Sequence, residues 1–204
     1  MVAGQHPSMT HRSCSQPDSV APDAAADLFP LDEFYARENR ALPRIDVIPG
    51  DAMPEPYRTL LVHANDMTPT LERFHGCDIH IEVWGRERRG NDYFREVVLR
   101  LDRDQCPVEF GANKIHLDRF AELERRLILD EYLPLGHILN RRRVPHQGGP
   151  TAFLRVESDP LMQRAFGLRE PVVLYGRRNT IRDPEGRALS DIVEILPPVP
   201  GQTH

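Results

Sequence analysis

The sequence predicts an α+β protein built on one antiparallel β-sheet with helices packed on one face. Three observations predict it. Apolar residues alternate with polar ones at a period of two, in segments that group as hairpins. Amphipathic stretches of helical period separate those groups. A strong turn sequence, Asp183-Pro184-Glu185-Gly186, closes the last pair of strands.

Taken in order, residues 1–27 are rich in Ser, Pro, Ala, Gly and His and lack hydrophobic periodicity. Such a composition does not repay its ordering entropy, so a disordered arm is expected there. Residues 28–198 read as a single domain, with 199–204 as a frayed tail. A short helix is expected over 31–40, then extended chain punctuated by prolines as far as Pro54 and Pro56. A second helix over 56–63 carries Tyr57, Leu60 and Leu61. Asp66-Met67-Thr68 breaks it, and Thr68 is the expected N-cap of a third helix, with Leu71 and Phe74 on its stripe and Gly76 at its stop. From Asp78 the period changes to two: Ile79, Ile81 and Val83 alternate with His80, Glu82 and Trp84. A hairpin loop is expected over 86–91, then strands over 93–101 and 108–116. Residues 117–129 read as one charged amphipathic helix and 133–140 as a short second one. Residues 146–150 read as loop, 152–156 as strand and 160–166 as helix. The last hairpin pairs 172–181 with 188–196.

Composition narrows the function classes. A chain of 204 residues suffices for one substantial core without staples. The formal net charge of -5 argues against broad nucleic-acid binding. No apolar run approaches the ~20 residues of a membrane span. Cys14, Cys77 and Cys106 form neither an even framework nor a CxxC pair, which suits a reducing compartment. The start of the chain lacks the charged and apolar regions of a secretory signal, so the expected location is cytoplasmic. His75, Cys77 and His80 cluster in sequence, but no second ligand pair follows at zinc spacing, and no metal is expected. Gly148-Gly149 leads into no phosphate loop, and no Gly-x-Ser-x-Gly elbow is present.

Two charges stand out by strand parity. Arg95 shares a face with Tyr93, Val97, Leu99 and Leu101, and Glu194 shares one with Ile192 and Leu196. A charge on an apolar sheet face is costly unless something pairs with it. One reading makes Arg95 and Glu194 a structural ion pair, with each other or with neighbours. The other makes them the poles of a concave pocket, where Arg95 grips an anionic ligand and Glu194 meets a hydroxyl or moves a proton. Arg177, beside Arg178 inside a strand, is a further candidate for anion binding. Arg125-Arg126 and Arg141-Arg142-Arg143 read as solvated charge.

Four segments, in order, resemble the chorismate pyruvate-lyase family: Asp66-Met67-Thr68 with Leu71-Glu72 and Gly76; Tyr93-Phe94-Arg95-Glu96-Val97-Val98-Leu99; Pro134-Leu135-Gly136; and Tyr175-Gly176-Arg177-Arg178 followed by Glu194-Ile195-Leu196-Pro197. They span about residues 60–197. The resemblance implies an antiparallel sheet with a closed pocket, and conversion of chorismate to 4-hydroxybenzoate and pyruvate without a cofactor. It implies that Arg95 holds the ring carboxylate and that Glu194 faces the 4-substituent. Met67 and Thr68 are implied as backbone contacts, and Leu135 and Gly136 as pocket closure. Loss of the enolpyruvyl group aromatises the ring, so the reaction mainly needs a substrate held in reactive shape.

The chain departs from the family where an arginine follows a glycine on the third strand. Here Ala112 follows Gly111, and Lys114, next along that face, joins the expected substrate-binding set. The same fold serves as the effector domain of GntR-type repressors, so a non-catalytic binding module for a small acid is the alternative. That alternative needs a winged-helix partner, which residues 1–55 are too short and proline-broken to supply. A related biosynthetic enzyme acting on another aromatic or alicyclic acid is the third possibility. The expected assembly is a monomer or small homo-oligomer.

Overall fold

The computed structural model describes Met1 and residues 28–199. The expected arm over 1–27 and the end of the chain from 200 onward fall outside the described residues, Met1 apart. Among the described residues seven strands form one antiparallel sheet: β1 (Ile45–Ile48), β2 (Ile79–Arg89), β3 (Asp92–Leu101), β4 (Pro107–His116), β5 (Gln147–Glu157), β6 (Val173–Arg182) and β7 (Ala188–Leu196). Their order across the sheet is β1-β5-β6-β7-β4-β3-β2. Among the described residues six α-helices accompany them: α1 (Leu31–Arg37), α2 (Tyr57–Leu61), α3 (Met67–His75), α4 (Glu122–Leu129), α5 (Leu135–Arg141) and α6 (Pro160–Phe166).

The α+β antiparallel architecture is as expected, but the helices cover both faces of the sheet. Phe94 and Val98 of β3, Phe110 and Ala112 of β4, and Val193 and Ile195 of β7 point to one side and pack against α1 and α6. Val97, Leu99 and Leu101 point to the other and meet α2 and α3. Tyr93, Ile115 and Ile192 continue that second face under α4 and α5. A strand buried on both sides reads as a continuous apolar run rather than an alternation. The run Val97-Val98-Leu99 is of that kind.

Element bounds moved where polarity was taken for loop. β2 continues through Arg86–Arg89, paired to β3, so the turn is only Gly90-Asn91. Charged residues suit an edge strand, whose outer side faces water. β5 begins at Gln147 and absorbs the segment read as loop, with a register shift between Pro150 and Ala152. A Cβ on Gly148 would stand 2.6 Å from the Ala64 carbonyl oxygen, so this strand needs glycine where it passes the α2–α3 connection. The stretch 117–129 is a 3-10 turn, Leu117–Arg119, followed by α4, with extended backbone at Phe120 between them. α3 starts at Met67 with Asp66 at the N-cap position, so Thr68 lies in its first turn.

The end of the domain is tied down. The Tyr57 hydroxyl donates to the Pro197 carbonyl at 3.1 Å and accepts from the Val199 N–H at 3.1 Å. Among the described residues no helix is long and apolar enough to cross a membrane.

Asp159 joins α1 to α6. Its carboxylate caps α6 by accepting from the Met162 N–H at 2.9 Å and accepts the Tyr35 hydroxyl at 2.9 Å. Asp159→Ala therefore removes a cap and strands a buried phenol, and urea denaturation should show a loss of about 2–3 kcal/mol.

Candidate functional site

Sheet register assembles the site. On the face covered by α2–α5, Arg95 of β3 stands opposite Asn113 of β4, which stands opposite Ile192 of β7 and then Asn179 of β6. The next row along runs Val97, Gly111, Glu194, Arg177. One row further, Leu99 stands opposite Glu109. These rows form the floor of a cavity whose lining includes Arg95, Glu109, Asn113, Asn179 and Glu194. Its roof is the start of α3, Asp66-Met67-Thr68, and the start of α5, Pro134-Leu135-Gly136. The cavity is about 40 Å³, room for a few waters. A ring-sized acid would therefore enter only with the roof lifted.

Arg95 and Arg177 are both 0 % exposed, yet they differ in what they touch. Arg177 is fully engaged by the protein. Its Nε donates to Glu194 Oε2 at 2.5 Å, its Nη1 to the carbonyls of Leu61 (3.2 Å) and His63 (2.9 Å), and its Nη2 to that of Asn65 (3.1 Å). Arg95 donates from Nε to Asn113 Oδ1 at 3.0 Å, and its Nη1 has no partner. Burial pushes its pKa down to about 10, so it stays charged at neutral pH. Glu131, whose charge it feels, is already held by the Tyr93 hydroxyl and Arg86.

The acidic side of the pocket holds two carboxyls. Glu194 is 4 % exposed and paired to Arg177. Glu109 is 5 % exposed, and its Oε2 has no partner. Burial, and then the charge of Glu194, hold the Glu109 carboxyl well above the usual carboxylate range.

Two histidine–carboxylate pairs clasp the roof. His137 Nε2 of α5 lies 2.8 Å from Glu72 Oε1 of α3. His146 Nε2 lies 2.9 Å from Asp66 Oδ2, which also accepts from Asn140 Nδ2 at 2.6 Å. Gly136 lets α5 approach α3 closely, since a Cβ there would stand 3.2 Å from Thr68 Oγ1. Burial raises the Asp66 carboxyl, but hydrogen bonds from His146 and Asn140, with the charges of His146 and Arg177, leave it below its ordinary value. The bond to Asp66 raises His146 against the opposing effect of burial.

Of the residues expected at the site, Arg95, Glu194, Met67, Thr68, Leu135 and Gly136 line the cavity. Two expectations are corrected. Lys114 stands opposite Phe94, on the other side of the sheet, where it pairs with Asp92 at 2.8 Å and sits over the Phe29 and Phe94 rings. The parity that places Gly111 on the cavity floor turns Lys114 away. Arg177 lies behind Glu194, outside the cavity lining, with its donors committed to the protein. The ion pair between Arg95 and Glu194 is also absent: two strand spacings, roughly 10 Å, separate their strands. Glu109, Asn113, Asn179 and Asp66 are site residues the sequence reading missed. Glu109, Gly111 and Asn113 alternate with Val108, Phe110 and Ala112, a pattern that ordinarily marks a solvated face.

No protein-family model and no curated protein sequence matches the chain. The fold is the one shared by chorismate lyase and the effector domains of GntR-type regulators. PhnF from Mycobacterium smegmatis superposes with a TM-score of 0.52 at 13 % identity, over 67 % of this chain and 65 % of PhnF. The product SA0254 of Staphylococcus aureus gives 0.50 at 9 % identity, over 65 % of this chain and 88 % of that one. A GntR-family transcriptional regulator from Bacillus cereus gives 0.44 at 8 % identity, over 62 % and 96 %.

Arg177→Met leaves Glu194 buried without its counter-charge and three carbonyls without a donor. Denaturation should show a loss of about 3–5 kcal/mol. The roof clasp should respond to pH. His146, with its pKa raised in the fold, contributes fully below about pH 6.5, and that contribution is lost as pH rises through its folded value. Asp66, with its pKa lowered, contributes above about pH 4, and that contribution is lost as pH falls through its folded value. Between pH 6 and 9 the wild type should therefore lose more stability than His146→Gln, as read by urea titrations at each pH.

Proposed function

We propose that the chain is a binding module for a small carboxylate-bearing molecule, held by Arg95 beneath α3 and α5. The observation that carries this reading is a guanidinium with no exposure, no carboxylate partner and an unpartnered Nη1 on the cavity floor. An uncompensated buried charge is expensive, and a bidentate carboxylate is the group whose shape and charge relieve it. α3 supports the reading as well. It carries no side-chain cap, so the Met67 and Thr68 N–H groups at its start remain available above the pocket. PhnF, which shares the fold, has an effector domain of its own.

A second reading, chorismate lyase chemistry, is favoured by the acidic pair. Glu109 and Glu194 line the same cavity as Arg95, so a bound acid would have its carboxylate at one end and two carboxyls near the other. Glu194, held by Arg177, orients a ligand hydroxyl or ether oxygen. Aromatisation of chorismate would then follow from geometry and dry surroundings. No cofactor is needed in either reading.

Chorismate and 4-hydroxybenzoate separate the two. As a binding module, the protein gains about 2.7 kcal/mol at 100-fold excess of ligand over Kd, seen as a raised Tm, and chromatography finds no 4-hydroxybenzoate from chorismate. Product that disappears in Glu194→Ala and in heat-killed controls would establish the lyase instead. Arg95→Met should be more stable than wild type by about 1 kcal/mol or more, because it removes an unpaired buried charge, and should show no ligand-induced shift. Loss of stability in Arg95→Met with ligand binding intact would make Arg95 structural.

A further inference from the structure

Glu109 is a buried titratable group to which neither reading above assigns a role of its own, and its surroundings are unusual. It comes from β4 on the cavity floor, with Leu99 opposite it on β3 and the Gly111–Glu194 pair one row along. No cation among the described residues pairs with it. Arg177 is used up by Glu194 and three backbone carbonyls. Arg95 stands opposite Asn113, four residues along the strand from Glu109, or roughly 13 Å of backbone. Asp66, on the roof, faces His146. Lys114 is on the far side of the sheet. An ionised Glu109 would thus be a buried anion beside a second anion, with no donor on its Oε2.

We propose that Glu109 enters the pocket as an un-ionised carboxylic acid, and that its O–H is the donor that selects ligands with a neutral oxygen at the end remote from Arg95. The proposal rests on the binding reading of the pocket and deepens it. The direction of the Glu109 shift, caused first by burial and then by Glu194, agrees with the geometry. Charge balance agrees as well. Arg177 and Glu194 cancel, so with Glu109 neutral the floor carries one net positive charge at Arg95, which a single carboxylate neutralises. With Glu109 ionised the floor is already neutral, and an incoming anion gains little. The preferred ligand class is therefore a monocarboxylate with a hydroxyl, ether or carbonyl oxygen across its skeleton, in preference to a dianion.

The donor role has a consequence a merely structural carboxyl lacks. Glu109→Leu keeps the bulk and loses the donor, so it should bind 4-hydroxybenzoate roughly tenfold more weakly while its affinity for benzoate is unchanged. Glu109→Gln keeps an N–H donor and should lose less. The proton itself is read without ligand. The infrared difference between wild type and Glu109→Gln at pH 7 should contain the C=O stretch of an un-ionised carboxylic acid. A carboxylate signature in that difference overturns the proposal whatever the protein binds. Equal losses for both probes in Glu109→Leu also overturn it, because they show a structural role. A wild type that binds neither probe removes the receptor reading and the donor role together, and the infrared difference then shows whether the proton alone was assigned correctly.

Discussion

Arg177 commits every nitrogen of its guanidinium to the protein, and the shape of the pocket follows from that. Its Nε fixes Glu194 on the neighbouring strand, and its two Nη atoms reach three carbonyls of the segment between α2 and α3. That segment ends at Asp66, where α3 begins. A single planar cation therefore sets the height of the roof above the floor and the orientation of the acid beneath it. A lysine has neither the fork nor the reach to satisfy four acceptors at once.

Charge on this sheet face falls into two kinds. Arg177 and Glu194 neutralise each other and are balanced by hydrogen bonds, so they cost the fold little once formed. Arg95 and Glu109 each keep a polar atom unsatisfied, which is the state of a site prepared for something else. Arg95 and Arg177, equally buried and three strand spacings apart, thus play opposite parts, and only their hydrogen-bond partners tell them apart. The fold common to PhnF and this chain supplies the platform. The chemistry resides in these side chains.

Much of this was legible in the sequence, for local reasons. Period-two alternation marks β2, and an arginine on β3 and a glutamate on β7, each sharing a face with apolar residues, point to two residues of the cavity lining. The turn at Asp183-Pro184-Glu185-Gly186 paired β6 with β7. What stayed hidden depended on partners far along the chain. Whether Arg95 meets Glu194 is decided by strand order, and β4 turns out to lie between β3 and β7. Arg86–Arg89 looked like loop because edge strands and loops share a polar composition. Glu109 and Asn113 looked like a solvated face, because alternation alone does not say which side of a strand is wet. Lys114 was assigned to the wrong face by counting from the right glycine with the wrong parity.

The roof has a property of its own. α3 and α5 are remote in sequence, neither belongs to the sheet, and they meet at Gly136, Thr68, the His137–Glu72 clasp and the Asn140–Asp66 hydrogen bond, with His146 holding Asp66 from the segment before β5. A seam of that kind parts without disturbing a single inter-strand hydrogen bond. In the binding reading proposed above, a ligand exchanges through this seam while the sheet stays whole. The clasps also contribute to the stability of the fold, so a substitution that loosens the seam shifts exchange and stability together.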